Sequence, residues 1–172
     1  SIRRQRQMCI RDSYKARLKF LQENSISTAD DLTACMHQAE STVTQLAKQR
    51  TILNVRKKKR KKLFDALAAE EALAMSKALY EEGLSGMESE YAQYVEAKAT
   101  LDTCGISRQA LTEEKADIYE QLAQLNKQIR AERKKIKLCR EIADSAAKMQ
   151  QDIAVQEKSQ QEKEASQTRD YK

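Results

Sequence analysis

Residues 32–67 read LTACMHQAESTVTQLAKQRTILNVRKKKRKKLFDAL. Their apolar positions step by alternating fours and threes through Leu32, Met36, Ala39, Val43 and Leu46, then Arg50 and Leu53. That spacing keeps one face of a helix turned toward a partner helix. Carried on unchanged, the frame passes through Lys57, Arg60, Phe64 and Leu67, then Glu71, Ala74 and Ala78. It therefore runs straight through Arg56-Lys57-Lys58-Lys59-Arg60-Lys61-Lys62, seven consecutive cations. Like charges at i,i+4 repel by a few tenths of a kcal/mol per pair, which weakens a helix without breaking it.

Upstream, Thr28 and Asp31 have the spacing of a capping box, with Ile26 placed to fold toward Leu32. The residues before that, Tyr14 to Glu23, give a short helical piece carrying Leu18, Phe20 and Leu21. Downstream, Gly83 and Gly86 bracket Leu84-Ser85 and predict a C-cap and turn. A shorter helix follows with Met87, Tyr91, Tyr94 and Leu101 on one face, stopping at Cys104-Gly105. Ser107 then caps a last helix, with Ile106 against Leu111. Its repeat runs through Leu111, Ile118, Leu122, Leu125, Ile129, Glu132, Ile136, Cys139, Ala143, Ala146 and Ile153.

These signals predict an all-α fold: an elongated antiparallel coiled coil of two long helices joined by a shorter one. Composition agrees, with 34% charged residues, 5% aromatic, three Gly and no Pro in 172 residues. The expected organisation is a helical region over 14–155 and a polar tail, 156–172, that frays or is disordered. A heptad frame shared by the two long helices allows a pairing in which position i faces 189 − i, putting Leu53 on Ile136, Phe64 on Leu125 and Lys57 on Glu132. Registers differing by seven residues fit nearly as well. In this one, Lys48–Lys62 lies level with Lys127–Arg140 as a single basic zone.

Residues 3–13, RRQRQMCIRDS, read like the in-frame translation of a sequencing-library adapter, so 1–13 is expected to be an assembly artefact or an unstructured arm. Without its four arginines and Asp12 the formal charge falls from +6 to +3. On this reading the natural chain begins upstream of Tyr14. Charge alternates in blocks, about +9 over 41–62, about −9 over 63–120 and about +5 over 121–142. No apolar run approaches the roughly 20 residues of a membrane span, and the expected compartment is the cytoplasm.

Cys35, Cys104 and Cys139 form no CxxC pair, and His37 is the only histidine, so no metal or other cofactor is expected. The cysteines read as reduced, half-buried thiols. No phosphate loop, nucleophile elbow or acid–base constellation is present, and the segment is not expected to be an enzyme. The tyrosines Tyr80, Tyr91, Tyr94 and Tyr119 read as packing residues. Three readings of the basic block stand side by side: a solvated helix face, a contact for nucleic-acid phosphates, and a nuclear-localisation-like run. No aromatic interleaves with it, so base stacking is not expected.

Four stretches carry a family resemblance. They are Ile26–Leu32 opening a long helix, Tyr80–Leu101 (YEEGLSGMESEYAQYVEAKATL), Ile106–Lys115 opening the next, and Ile136–Ile142 near its end. Together they resemble the C-terminal region of the relaxase/mobilisation nuclease family of mobilisable plasmids and integrative elements, over roughly residues 14 to 156. In that family an N-terminal domain nicks one DNA strand with a tyrosine and a histidine-bound metal. The resemblance therefore implies an accessory helical region that holds DNA, or docks relaxosome and coupling proteins, in conjugative transfer. The nicking domain would lie upstream. The candidate DNA-contact residues are Arg56, Lys57, Lys58, Lys59, Arg60, Lys61 and Lys62, with Arg130, Arg133, Lys134, Lys135 and Lys137. The competing expectation is a structural or adaptor coiled coil that recruits a protein partner or a second copy of itself.

Overall fold

The computed structural model describes residues 2–169, and all its regular elements are helices: α1 (Ile2–Glu23), α2 (Ala29–Ala72), α3 (Ala74–Glu81), α4 (Glu88–Thr103) and α5 (Arg108–Arg169). Among the described residues, no helix is long and apolar enough to cross a membrane. The ends are set by the residues that predict them. Asp31 N–H donates to the Thr28 hydroxyl at 3.1 Å, and Asp31 Oδ2 accepts from the N–H groups of Ser27 and Thr28 at 3.0 and 3.1 Å. Those bonds hold the Asp31 carboxyl below its usual range. Ser107 Oγ accepts from Ala110 N–H at 3.1 Å. α3 closes on Gly83 (φ 91°), where Leu84 N–H reaches Leu79 O and Gly83 N–H reaches Tyr80 O. α1 ends the same way at Ser25 (φ 53°), a non-glycine in the left-handed region, beside Asn24, whose amide donates to Phe20 O at 2.8 Å.

The chain divides into two compact units. The first comprises the helices up to Thr44 with α5 from Arg130 onward. Its core is Phe20 of α1, Leu32 of α2 and Cys139 of α5, with Leu21, Ile26, Cys35, Met36, Leu138 and Ile142 packed around them. Arg17 ties α1 to α5 through Ser145 Oγ at 3.1 Å.

The second unit spans Gln45–Ile129. Phe64 and Ala66 of α2, Ala97 and Leu101 of α4, and Leu111, Ile118 and Leu122 of α5 form its core. Arg50 donates to Asn126 at 3.2 Å, Arg60 lies 3.2 Å from Glu114, and Arg108 binds Glu70 at 2.7 Å. Rising numbers on α2 meet falling numbers on α5, so the two run antiparallel here.

The register differs from 189 − i. Within the second unit, position i faces roughly 175 − i, about two heptads away. Phe64 packs in one core with Leu111 and Ile118, and Lys57 lies on Tyr119. In the first unit Met36 packs against the core formed by Phe20, Leu32 and Cys139, to which Ile153 does not belong. The seam itself is where the repeat places it. From Leu32 to Leu67 every a/d position is buried or half-buried, the three cations Arg50, Lys57 and Arg60 included. It ends at Leu73 (φ −97°, ψ 0°), which separates α2 from α3 and shifts the phase. Glu71, Ala74 and Ala78 are exposed, while Leu73 and Leu79 are half-buried.

Residues 2–13, read as an artefact or an unstructured arm, are helical, and so is the tail through Arg169. Residues 2–13 and 156–168 are exposed throughout, so no core dictates those helices. Strong helix formers and the absence of any proline do.

Candidate nucleic-acid interface

The seven cations on α2 sort by helical phase. Arg60 and Lys57 fall on the seam and are half-buried. Arg60 Nε lies 3.2 Å from Glu114 Oε2, and Arg56 Nε 3.0 Å from Glu114 Oε1, so one carboxylate of α5 serves two arginines. The Lys57 ammonium sits 4.4 Å from the centre of the Tyr119 ring. Lys61 pairs with Asp65 one turn on, and that bond holds its ammonium above the usual lysine range. Lys58, Lys59 and Lys62 remain. All three are exposed and have no ion pair among the described residues. At 100° per residue they share one outward face.

The cations of α5 lie in the other unit. Arg130, Arg133, Lys134 and Lys137 are spaced by threes and fours, which puts them on one face, and all four are exposed. The seam residues Ile129, Ile136 and Cys139 occupy the opposite face. Lys135 is half-buried and pairs with Glu132 at 3.5 Å, and Lys137 lies 3.9 Å from Glu141. Arg140 reaches Glu40 of α2 at 3.4 Å. Arg130, Arg133 and Lys134 have no ion pair among the described residues. The basic block faces Glu114 and Tyr119 within its own unit. The shared register that would set it level with Lys127–Arg140 is not the one observed.

Sequence reading misses Tyr119 as a neighbour of the block, because it lies far along the chain on a different helix. The ring is 47% exposed and lines a groove of about 390 Å³ with Asn54, Lys57, Lys58, Lys61, Phe64 and Asp65. An aromatic face therefore does stand among these lysines. Among the other tyrosines, Tyr80 stacks on Tyr91 at 4.2 Å, and Tyr94 takes Lys77 at 5.7 Å. His37 is exposed, 3.4 Å from Glu40. The described residues contain no cluster of three or more potential metal-ligating side chains.

Comparison of the chain with protein-family models, with curated proteins and with solved structures finds no match.

Proposed function

We propose that the protein is a nucleic-acid-contacting accessory region of a DNA mobilisation relaxase, holding DNA by its phosphates in conjugative transfer while a separate domain does the nicking. The observation that carries the DNA contact is the set of six exposed cations without an ion-pair partner among the described residues, Lys58, Lys59 and Lys62 on α2 and Arg130, Arg133 and Lys134 on α5. Cations already neutralised by carboxylates have little left to offer a phosphate. Cations held outward on a rigid helix can displace condensed counterions, which makes such binding sequence-independent and steeply salt-dependent. The parentage rests on the resemblance of Ile26–Leu32, Tyr80–Leu101, Ile106–Lys115 and Ile136–Ile142. Lys57, Lys61, Arg56, Arg60, Lys135 and Lys137 add to the local potential but are held by their own partners.

The test is a salt titration of binding to a fluorescent duplex of arbitrary sequence. The expected slope of log affinity on log salt steepens by about 0.9 for each phosphate contact, and reversing all six charges abolishes binding. Unchanged affinity at low salt in that variant would sink the proposal. The structural-adaptor reading keeps one observation of its own. Ile52, Val55 and Met75 are exposed, at 68%, 49% and 71%, on the helices of α2 and α3. Mass that rises with concentration in sedimentation, with no DNA shift, would favour it.

A further inference from the structure

In the first unit two thiols from different helices pack against each other. Cys139 of α5 is 1% exposed in the core, and Cys35 of α2 is half-buried against that core, its thiol within hydrogen-bonding reach of the Cys139 thiol. Both are free. Ala39, one turn along α2 and 2% exposed, puts only a methyl group between the helices there and lets them approach closely. The two cysteines differ in access. Cys35 lines a cleft of about 360 Å³ with Asn24, Asp31, Gln38, Glu132 and Lys135, whereas Cys139 does not reach it. Burial first, and Cys35 second, push the Cys139 thiol up to about 11, against a smaller opposing pull from Lys135. One thiol is reachable and the other waits behind it.

We propose that Cys35 and Cys139 are the two halves of a reversible disulfide, with Cys35 the thiol that a hydroperoxide oxidises from the cleft and Cys139 the thiol that resolves it. In the first step the Cys35 thiolate attacks one peroxide oxygen. An S–O bond forms, the O–O bond breaks, and the departing hydroxide takes a proton to leave as water. In the second step Cys139 gives up its proton and attacks the Cys35 sulfur. The S–S bond forms, the S–O bond breaks, and the hydroxide again leaves as water. Two thiols and one hydrogen peroxide become one disulfide and two waters, the two electrons passing from sulfur to peroxide. A dithiol reductant reverses it. The bond would staple α2 to α5 in the unit that carries Arg130, Arg133 and Lys134, and it stands whether or not those residues meet DNA.

The experiment treats the full chain, as its Cys9→Ser variant to remove the exposed thiol, with hydrogen peroxide and then blocks remaining thiols. Expected are an intact mass lower by about 2 Da before blocking, a single blocked thiol at Cys104, one peptide pair joined through Cys35 and Cys139, and recovery with dithiothreitol. The thermal midpoint should rise by several degrees on oxidation and fall back on reduction, as expected for a bond that closes a loop of about 100 residues. Cys35→Ser, a change at the rim of the core, should lose both the link and the shift while folding normally. Gain of about 32 Da at Cys35 without a link, or a covalent dimer through Cys35, overturns the proposal.

Discussion

Two basic segments of unequal charge density, seven cations in seven residues at 56–62 and five in eight at 130–137, end up in different chemical situations. Of the seven cations at Arg56–Lys62, four are engaged: Arg56 and Arg60 by Glu114, Lys57 by Tyr119 and Lys61 by Asp65. On α5, Arg130, Arg133 and Lys134 point away from the seam, and the paired lysines Lys135 and Lys137 use glutamates of their own helix. The longer run thus offers no more unpaired cations than the shorter one. Phase relative to the seam, and not run length, decides how much charge a helix leaves for a ligand. A run of seven must cross the seam because a helix turns every 3.6 residues, whereas charges spaced by threes and fours can avoid it.

The largest expected effect separates the two segments by binding. Arg130→Gln, Arg133→Gln and Lys134→Gln together should lower DNA affinity at low salt more than tenfold and flatten the salt slope by about 3. Stability should hold to about 0.5 kcal/mol, since nothing internal is lost. Arg56→Gln with Arg60→Gln removes nearly as much charge and should leave the slope unchanged. That pair should instead cost about 1 kcal/mol in chemical denaturation, because the mostly covered Glu114 loses both partners. Equal slope changes in the two variants would erase the distinction between them.

A subtler probe works from the carboxylate. Glu114→Gln leaves Arg56 and Arg60 without an anion, so DNA affinity should rise about threefold while stability falls by up to about 1 kcal/mol. Tyr119→Ala tests the aromatic face among the lysines. Base–aromatic stacking contributes about 1 kcal/mol or more per base, so this variant should weaken binding to single strands about fivefold and spare a duplex. Fluorescence anisotropy with the two probes side by side reads both.

The seam was legible because heptad periodicity does not depend on the partner. Leu32, Met36, Ala39 and Phe64 could be placed on it from spacing alone, and so could Lys57 and Arg60. Capping was legible for a similar reason, since Thr28–Asp31 and Ser107 act within one turn. Register was not. Shifting one helix by seven residues restores the same apolar pattern, and what separates the alternatives is a handful of pairs such as Arg60–Glu114 and Lys57–Tyr119. Tyr119 stayed hidden with the register. The phase change at Leu73 left no mark either, because alanine-rich sequence carries apolar residues on several faces at once.

The smallest expected effect concerns the ion cluster that joins α2, α4 and α5 in the second unit, where Arg108 of α5 donates to both Glu70 oxygens at 2.7 Å and to Asp102 at 2.9 Å. Bonding to Arg108 holds the Glu70 carboxyl below its usual range, and Lys98 followed by Arg108 does the same for Asp102. Arg108 itself is held above the ordinary arginine value and stays charged throughout. Carboxyls with lowered folded values stabilise the fold above their unfolded values, near 4, and lose that contribution as pH falls through the folded values. Arg108 is 40% exposed, and solvent screening keeps the gain small at neutral pH. Arg108→Gln should therefore be less stable than the parent by a constant amount from pH 8 to about 5, and the two should converge below about pH 4. Glu114, the carboxylate of the basic block, provides the contrast in the same unit. Removing it should lower stability and also raise DNA affinity, whereas Arg108→Gln should move stability alone, because its partners Glu70 and Asp102 hold none of the block's cations.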